Sequence, residues 1–145
     1  MDAAGESPPD SLAGAVWSVA RRLRHASADA LAPWDVTPGQ VRALVVLARH
    51  PALRPGALAE HLRIAPRSGT EVIDALAARD LVTRAPDPDD RRATLVTLTG
   101  AGWEVAGAIR AARAVEAEGF FAVLTAPERT ELARLLRKVA DQPEP

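Results

Sequence analysis

Apolar positions recur at helical spacing through the first half of the chain. From residue 11 to about residue 31 they occupy one helical face until Pro33, which predicts a long first helix. The run TPGQ at 37–40 then combines a capping Thr, a Pro suited to the first helical position and a Gln that reaches back. A second helix is therefore expected to begin there and to end near His50.

Two shorter helices separated by a tight turn follow. The first runs over residues 56–62, and the second runs over residues 66–79 with Val72, Ile73 and Leu76 on its buried side. Polar residues occupy the other side and the N-terminal end of the second helix, namely Arg67, Ser68, Thr70, Glu71 and Asp74. Two short helices joined in this way predict a helix-turn-helix.

A β-hairpin and two further helices complete the order of elements. Residues 81–84 and 94–98 predict two strands joined by a tip of eight or nine residues. Thr99 starts a long alanine-rich helix, and a capping box at residues 125–128 opens a final helix. The order α-α-α-α-β-β-α-α predicts a mainly α fold with a small hairpin wing, which is a winged helix-turn-helix.

Length and composition indicate one ordinary domain, residues 1–145. The chain is 48% hydrophobic and 26% charged, which is enough apolar material for a core and argues against wholesale disorder. Residues 1–10 and 142–145 have the composition of disordered tails. No apolar run approaches the roughly 20 residues that cross a bilayer, and no leader pattern is present, so we expect no membrane partner and a cytoplasmic location.

The residue inventory disfavours enzymatic and metal-dependent functions. The chain has no Cys and no Tyr, and it lacks an HExxH motif, a glycine-rich phosphate loop and an evident Ser-His-Asp set. Its three histidines, His25, His50 and His61, fall on separate predicted elements without metal-ligand spacing. We therefore expect no catalytic residue, no metal and no cofactor.

The hairpin tip, PDPDDRRATLV, concentrates opposite charges. Arg91 and Arg92 precede the second strand, and a guanidinium there suits the phosphate backbone or a narrow minor groove. Asp87, Asp89 and Asp90 are expected to shape the tip by accepting hydrogen bonds from its own amides, one of them also pairing with an arginine. The alternative is a solvated charged hairpin without a ligand.

The most specific patterns along the chain are TPGQ at 37–40, LAEHL at 58–62, VIDALAARDLV at 72–82 and DPDDRR at 87–92 with its continuation to Leu98 and Thr99. Together they resemble the multiple-antibiotic-resistance regulator (MarR) family over about residues 10 to 141. The resemblance implies a homodimeric winged-helix transcription factor, usually a repressor. Its DNA-binding lobe would be residues 37–98, and its dimerisation helices would be residues 11–31 and 99–141.

A twofold dimer would place two recognition helices about one helical turn, ~10 bp, apart on duplex DNA, so the operator should be pseudo-palindromic. The flanking helices also carry more apolar surface than one small core covers, which favours a second copy as partner. Examples of that surface are Phe120, Phe121, Leu132, Leu135 and Leu136.

Carried over position by position, the resemblance assigns DNA contacts to the recognition helix, residues 66–79. Arg67 would donate to guanine and Glu71 would accept from cytosine. Ser68 and Thr70 would bond phosphates. The alternative for each of these is an exposed polar residue without a ligand.

The chain departs from the family pattern at three positions. Ala65 stands at the N-cap of the recognition helix where Ser or Thr is usual, Gly69 lies inside that helix, and Asp80 replaces the customary Gly. Gly69 either permits close approach of the DNA backbone or is simply tolerated. Residues 61–92 hold six Arg and six acids, so geometry must arrange the basic surface. Further cations that could contribute are Arg42, Arg49 and Arg54.

The resemblance also implies a small aromatic or phenolic ligand between the dimerisation helices and the DNA-binding lobe. An aromatic wall beside a guanidinium suits a planar carboxylate. The candidate residues are Trp17, Arg21, Arg24, His25, Trp34 and Trp103. The alternative is that tryptophans at helical spacing belong to the core.

A winged-helix module that binds protein instead of DNA is the second functional hypothesis, because the recognition region carries equal numbers of Arg and acidic residues. This hypothesis predicts no binding to upstream DNA and no steep loss of affinity with salt. The operator sequence, the effector, the regulated genes and the choice between repression and activation do not follow from the sequence.

Overall fold

The computed structural model describes residues 11–143. The tail expected at 1–10 and the last two residues of the tail expected at 142–145 lie outside the described residues, and residues 142 and 143 follow the last helix. The elements are α1 Leu12–Leu31, a 3-10 turn Ala32–Trp34, α2 Pro38–Arg49, α3 Pro55–Leu62, α4 Pro66–Ala78, β1 Val82–Asp87, β2 Asp90–Leu98, α5 Gly100–Phe120 and α6 Ala126–Ala140. The two strands form one antiparallel hairpin. The predicted fold class, mainly α with a hairpin wing after a helix-turn-helix, is confirmed.

Side-chain caps set where four of the helices begin, and at α1 the cap is Ser11 Oγ, which accepts the Gly14 amide at 2.9 Å. Thr37 Oγ1 accepts the Gln40 amide at 3.2 Å and Gln40 Oε1 accepts the Thr37 amide at 3.1 Å, which is the capping box expected for α2. Thr125 and Glu128 form the second expected box at the start of α6. Thr99 begins α5 by accepting an amide hydrogen bond of 3.0 Å from the first turn.

The hairpin is longer than the sequence predicted, and the expected tip of eight or nine residues is wrong. β1 extends to Asp87 and β2 begins at Asp90, so only Pro88 and Asp89 remain in the turn. The turn closes early because Asp87 Oδ1 accepts the Asp89 amide at 2.9 Å. A side chain that bonds the backbone two residues on is a typical turn device of Asp.

A bulge interrupts β2 directly after the turn. The strand pairing passes from Pro86 opposite Thr94 to Asp87 opposite Asp90, which leaves residues 91–93 without partners on β1. A bulge bends its strand and changes the direction of its side chains. The two tip arginines therefore lie in the irregular part of the wing and not in a long flexible loop.

Buried side chains concentrate in a compact unit formed by residues 27–113. The largest fully buried ones are Val41, Leu44, Leu47, Leu58, Leu62, Ile73, Leu76, Val96 and Ile109. They come from α2, α3, α4, β2 and α5, so their burial holds the helix-turn-helix and the hairpin together.

The two helices of the helix-turn-helix pack closely at Gly69. A Cβ on Gly69 would lie 2.9 Å from the Ala59 Cβ, which is too short for an ordinary contact. Packing of α3 against α4 therefore explains this glycine, whereas the sequence suggested only DNA approach or tolerance. Asp80 adopts the left-handed conformation expected for it, with φ of 58°.

The described residues 11–26 and 114–143 belong to the other compact unit. Among its described residues, 11–26 and 114–143, no side chain is buried, and α6 has none despite its apolar stripe. Its exposed large apolar residues are Leu12, Val16, Trp17, Val19, Val115, Val123, Leu135, Leu136 and Val139. No helix within the described part of the chain is long and apolar enough to cross a membrane.

Candidate nucleic-acid interface

The outer face of α4 carries the polar residues predicted to contact DNA. Arg67, Thr70 and Glu71 are exposed, and Ser68 is half-buried. The Arg67 side chain is 93% exposed, and its Nε lies 3.8 Å from Oε1 of Glu71. An ion pair this exposed contributes little to stability, so either side chain can exchange its partner for a base edge at low cost. Thr70 Oγ1 donates to the Pro66 carbonyl at 3.2 Å.

The first turn of α4 begins without a side-chain cap. Ala65 has the extended backbone of an N-cap, with φ −60° and ψ 147°, but no side-chain oxygen. The amides of Arg67 and Ser68 therefore receive no cap from Ala65, and they lie at the positive end of the helix dipole. Such an end favours a phosphate oxygen.

Asp87 is the buried charged residue at the tip of the hairpin, with 7% of its surface exposed. Its Oδ2 accepts hydrogen bonds from Arg54 Nε at 3.0 Å and from Arg54 Nη2 at 2.7 Å. The Asp89 amide bonded to Oδ1, followed by the Arg54 guanidinium, holds the pKa of the Asp87 carboxyl below its ordinary value. The bonded Asp87 carboxylate likewise raises the pKa of Arg54.

Asp90 closes the other side of the turn. Its Oδ1 accepts the Arg92 backbone amide at 3.1 Å, and its Oδ2 lies 4.0 Å from Arg54 Nη2. Asp87 and Asp90 thus have the tip-shaping geometry expected of them, whereas Asp89 contributes its backbone amide to the turn. Arg91 and Arg92 are exposed, and within residues 11–143 neither guanidinium has a hydrogen bond or an ion pair.

A second ion pair joins the hairpin to the recognition helix. The Arg84 guanidinium on β1 donates to the Asp74 carboxylate on α4, with the Asp74 side chain 62% exposed. Asp74 and Asp87 are therefore both partnered by arginines. These ion pairs use Arg84 and Arg54, so the exposed guanidiniums of Arg91 and Arg92 stay available to a ligand.

The three additional cations suggested by the sequence have different positions. Arg54 is bonded to the hairpin tip, and Arg42 donates to the Leu62 carbonyl at the end of α3. Arg49 is exposed in the last turn of α2. The sequence carried no local signal for the role of Arg54, because its partner Asp87 lies 33 residues further along the chain.

The candidate ligand residues fall in both compact units. Trp17, Arg21 and His25 are exposed at four-residue intervals along one face of α1. Trp34, in the 3-10 turn, packs against the buried core of residues 27–113. This packing agrees with the alternative interpretation of that tryptophan, while Trp17 is 59% exposed.

Two of the histidines meet although they lie on different elements. The rings of His50 and His61 stack with centroids 4.5 Å apart. The described residues contain no group of three or more His, Cys, Asp or Glu side chains that could hold a metal ion.

Comparison with known proteins establishes the family. A family model described as the MarR family matches residues 36–94, which include α2, α3, α4 and most of the hairpin. An uncharacterized HTH-type transcriptional regulator of Mycobacterium bovis is 38% identical over 127 residues, which cover 88% of this chain and 83% of the relative. The chain belongs to the MarR family. It is therefore a DNA-binding transcriptional regulator of the winged-helix type and not an enzyme.

Further relatives of this MarR-family chain include proteins of known role. An HTH-type transcriptional repressor of Mycobacterium bovis is 30% identical over 125 residues, which cover 86% of this chain and 89% of the relative. A mutant of MarR from E. coli, solved in complex with operator DNA, has a TM-score of 0.74 at 26% identity and covers 88% of this chain and 92% of its own. BpsR of Bordetella bronchiseptica, solved in work on regulation of its DNA binding by 6-hydroxynicotinic acid, shares the fold with a TM-score of 0.78 at 24% identity, covering 96% of this chain and 99% of its own.

Proposed function

We propose that this chain is a homodimeric repressor that binds a pseudo-palindromic duplex DNA operator and releases it when a small aromatic or phenolic ligand binds. One observation carries the DNA contact: Arg91 and Arg92 are exposed in the wing bulge while the Asp87 carboxylate at the tip is held by Arg54. The operator complex of E. coli MarR supports the binding of duplex DNA. The repressor relative of M. bovis supports a role in repression. Because these relatives are bacterial proteins and bacterial DNA lies in the cytoplasm, we propose a cytoplasmic location for this regulator as well.

The exposed apolar surface of the unit that contains residues 11–26 and 114–143 supports a homodimer. Leu135 and Leu136 on α6 are 45% and 46% exposed, and Val139 on the same helix is 67% exposed. An apolar stripe of this kind is costly in water and is normally covered by another surface. A second copy of the same helices would cover it under twofold symmetry, which is the commonest arrangement of oligomers.

The recognition helix and the wing have different proposed roles. Arg67 and Glu71 on α4 would read base edges, since a guanidinium suits guanine and a carboxylate suits the cytosine amino group. Ser68 and Thr70 would bond phosphates near the uncapped helix end. Arg91 and Arg92 would contact the backbone or the minor groove beside them. The carboxylates of Asp87 and Asp90 and the backbone amide of Asp89 would shape the tip that carries them.

For the ligand we propose the exposed face of α1 that carries Trp17, Arg21 and His25. An indole beside a guanidinium can hold a planar aromatic acid through stacking and charge. The probes are 6-hydroxynicotinic acid, which is named for BpsR, and benzoate. Binding should quench the Trp17 emission and release DNA, with Trp17→Phe removing the optical signal and Arg21→Ala weakening the binding. A lack of any response to both probes would remove the α1 face from the proposal.

The DNA contact is tested by fluorescence anisotropy with duplexes from the region upstream of the protein's own coding sequence. The double variant Arg91→Ala/Arg92→Ala should bind at least about tenfold more weakly, and its plot of log affinity against log salt should be shallower by about 2. The matched control Arg129→Ala/Arg137→Ala removes the same charge from α6 and should keep the wild-type slope. A repressor should also lower transcription from a promoter that carries the bound duplex.

The alternative from the sequence, a winged-helix module that binds protein instead of DNA, does not fit the family to which the chain belongs, and the same measurement tests it. It predicts that the wild-type dimer ignores upstream duplexes even at low ionic strength. It also predicts that Arg91→Ala/Arg92→Ala and Arg129→Ala/Arg137→Ala behave alike with DNA. Either result would contradict the DNA-binding role of the wing.

A further inference from the structure

One carboxylate at the tip of the wing joins two segments that are far apart in sequence. Arg54, which immediately precedes α3, donates both Nε and Nη2 to Oδ2 of Asp87, at 3.0 and 2.7 Å. The other oxygen, Oδ1, accepts the Asp89 amide of the hairpin turn at 2.9 Å. Because Asp87 is only 7% exposed, these three donors determine its position. The turn of the wing is thereby attached to the start of the helix-turn-helix.

The same segment also holds the base of the wing. Leu53, next to Arg54, donates its amide to the Val96 carbonyl at 3.1 Å and accepts the Val96 amide at 2.7 Å. This bridge attaches to β2 at Val96, between the bulge and the C-terminal end of the strand. Residues 53 and 54 therefore contact the hairpin both at its base and at its tip, with the bulged residues 91–93 between the two attachments.

Because of the bulge, the positions of Arg91 and Arg92 depend on the contacts that residues 53 and 54 make with the hairpin. Residues 91–93 have no partners on β1, so the strand ladder does not determine their direction. A two-stranded hairpin alone has marginal stability in water. What holds the Arg92 backbone is the Asp90 carboxylate, which itself lies 4.0 Å from Arg54.

We infer that Arg54 and Asp87 form a tip clamp, a pair of positioning residues that holds Arg91 and Arg92 where they meet the DNA backbone. The inference rests on the DNA binding proposed above and adds to it a role for two residues that need not touch DNA. The expected effect of Asp87 on DNA affinity is opposite to the effect that charge repulsion alone would give. An acid at the DNA-facing tip increases the affinity for a polyanion, because the position of the two guanidiniums matters more than the local repulsion.

The sign of the effect separates the clamp from simple electrostatics. If only charge mattered, removing a carboxylate near DNA would strengthen binding. Asp87→Asn keeps the size of the side chain and still offers an oxygen to the Asp89 amide, but it turns an amide donor toward the Arg54 donors. The matched control is Asp89→Asn, because Asp89 is exposed and enters the turn through its backbone amide, which the variant retains.

The experiment measures anisotropy of full-length variants with a duplex from upstream of the coding sequence, at two salt concentrations. Asp87→Asn should lower the affinity at least about tenfold, since hydrogen bonds to a charged group are lost. Asp89→Asn should leave the affinity unchanged or raise it. In the background Arg91→Ala/Arg92→Ala, Asp87→Asn should have little further effect, because the clamp acts only through those arginines.

Unchanged or tighter binding by Asp87→Asn, or a full additional loss in the Arg91→Ala/Arg92→Ala background, would overturn the clamp. If Arg91→Ala/Arg92→Ala still weakens binding, the proposed DNA contact survives that result. Absence of binding by the wild type would overturn both. Circular dichroism and size-exclusion chromatography establish that each variant is folded.

Arg54→Lys provides a second route if Asp87→Asn does not fold. Lysine keeps the positive charge but lacks the fork that donates two hydrogen bonds to one oxygen. The clamp predicts that Arg54→Lys also binds DNA more weakly, although no charge is lost. Wild-type affinity in a folded Arg54→Lys protein would overturn the inference.

Discussion

At Gly69 a single absent Cβ sets the distance between the two helices of the helix-turn-helix. Gly69→Ala would gain about 1 kcal/mol of helix propensity but would press on Ala59, and overpacking costs about 1–3 kcal/mol. We expect a net loss of about 0–2 kcal/mol in the free energy of unfolding, measured by urea denaturation. The double variant Ala59→Gly/Gly69→Ala should recover the packing part of the loss.

The control for Gly69 is Gly56, in the first turn of α3. A Cβ on Gly56 would meet no atom within 4 Å, so Gly56→Ala should stabilise the chain by about 0.5–1 kcal/mol. Opposite signs for the two Gly→Ala changes would establish that packing, and not propensity, selects Gly69. Equal stabilisation by both would contradict the close approach of α3 and α4.

The Asp87 carboxylate makes a pH-dependent contribution to stability. Its pKa is lowered in the folded chain by the Asp89 amide and then by Arg54, so its contribution is complete above the unfolded pKa and is lost as the pH falls through the folded pKa. The difference in unfolding free energy between wild type and Asp87→Asn should therefore be constant near neutral pH and shrink in acid. Urea denaturation over a pH series measures it. A difference that grows in acid would contradict the hydrogen-bonding pattern.

Individual residues were predictable from sequence where their partners are close along the chain. Thr37 with Gln40 and the left-handed Asp80 follow from local chemistry. The partner of Arg54 and the neighbour of Gly69 do not, since both belong to other elements. Sequence therefore described Arg54 as a general cation and left Gly69 with two open explanations.

Among the elements, α4 begins after Ala65 without a side-chain cap, and this feature can be tested by substitution. Ala65 has φ −60° and ψ 147°, close to the capping residue Thr37 with φ −74° and ψ 158°. Ala65→Ser therefore needs no backbone change to cap the helix and should raise the free energy of unfolding by about 1 kcal/mol. Thr37→Ala should lower it by a similar amount, and thermal unfolding of both compares them. A destabilised Ala65→Ser would mean that the end of α4 does not accept a cap.

The hairpin was the element for which the sequence prediction was least accurate. β-Propensity identified the regular pairing near Val82 and Leu98, but Pro86 and the charged residues after it argue against strand. The side chain of Asp87, which accepts the Asp89 amide and the Arg54 guanidinium, extends the hairpin beyond that pattern. Tertiary contacts of this kind cannot be read from periodicity, which explains why the tip was predicted too long.

At the scale of the whole molecule, the order of helices and strands was predictable because periodicity and capping signals agree along the chain. The core of residues 27–113 follows from that order, since its apolar stripes face one another. The described residues of the other unit, 11–26 and 114–143, lack a buried side chain, so their apolar stripes are exposed and open to the second copy proposed above.

The apolar stripe on α6, formed by Leu135, Leu136 and Val139, allows a test of the proposed dimer interface. Leu135→Glu would place a carboxylate in the proposed dimer interface twice, once from each copy, and should raise the dimer dissociation constant at least about hundredfold. Sedimentation velocity measures the change, and DNA affinity should fall with it because two linked half-site contacts become one. Thr130→Glu adds the same charge to an exposed position of α6 away from the stripe and should stay dimeric. If Leu135→Glu keeps the wild-type mass, α6 does not form the interface and the exposed apolar residues need another partner.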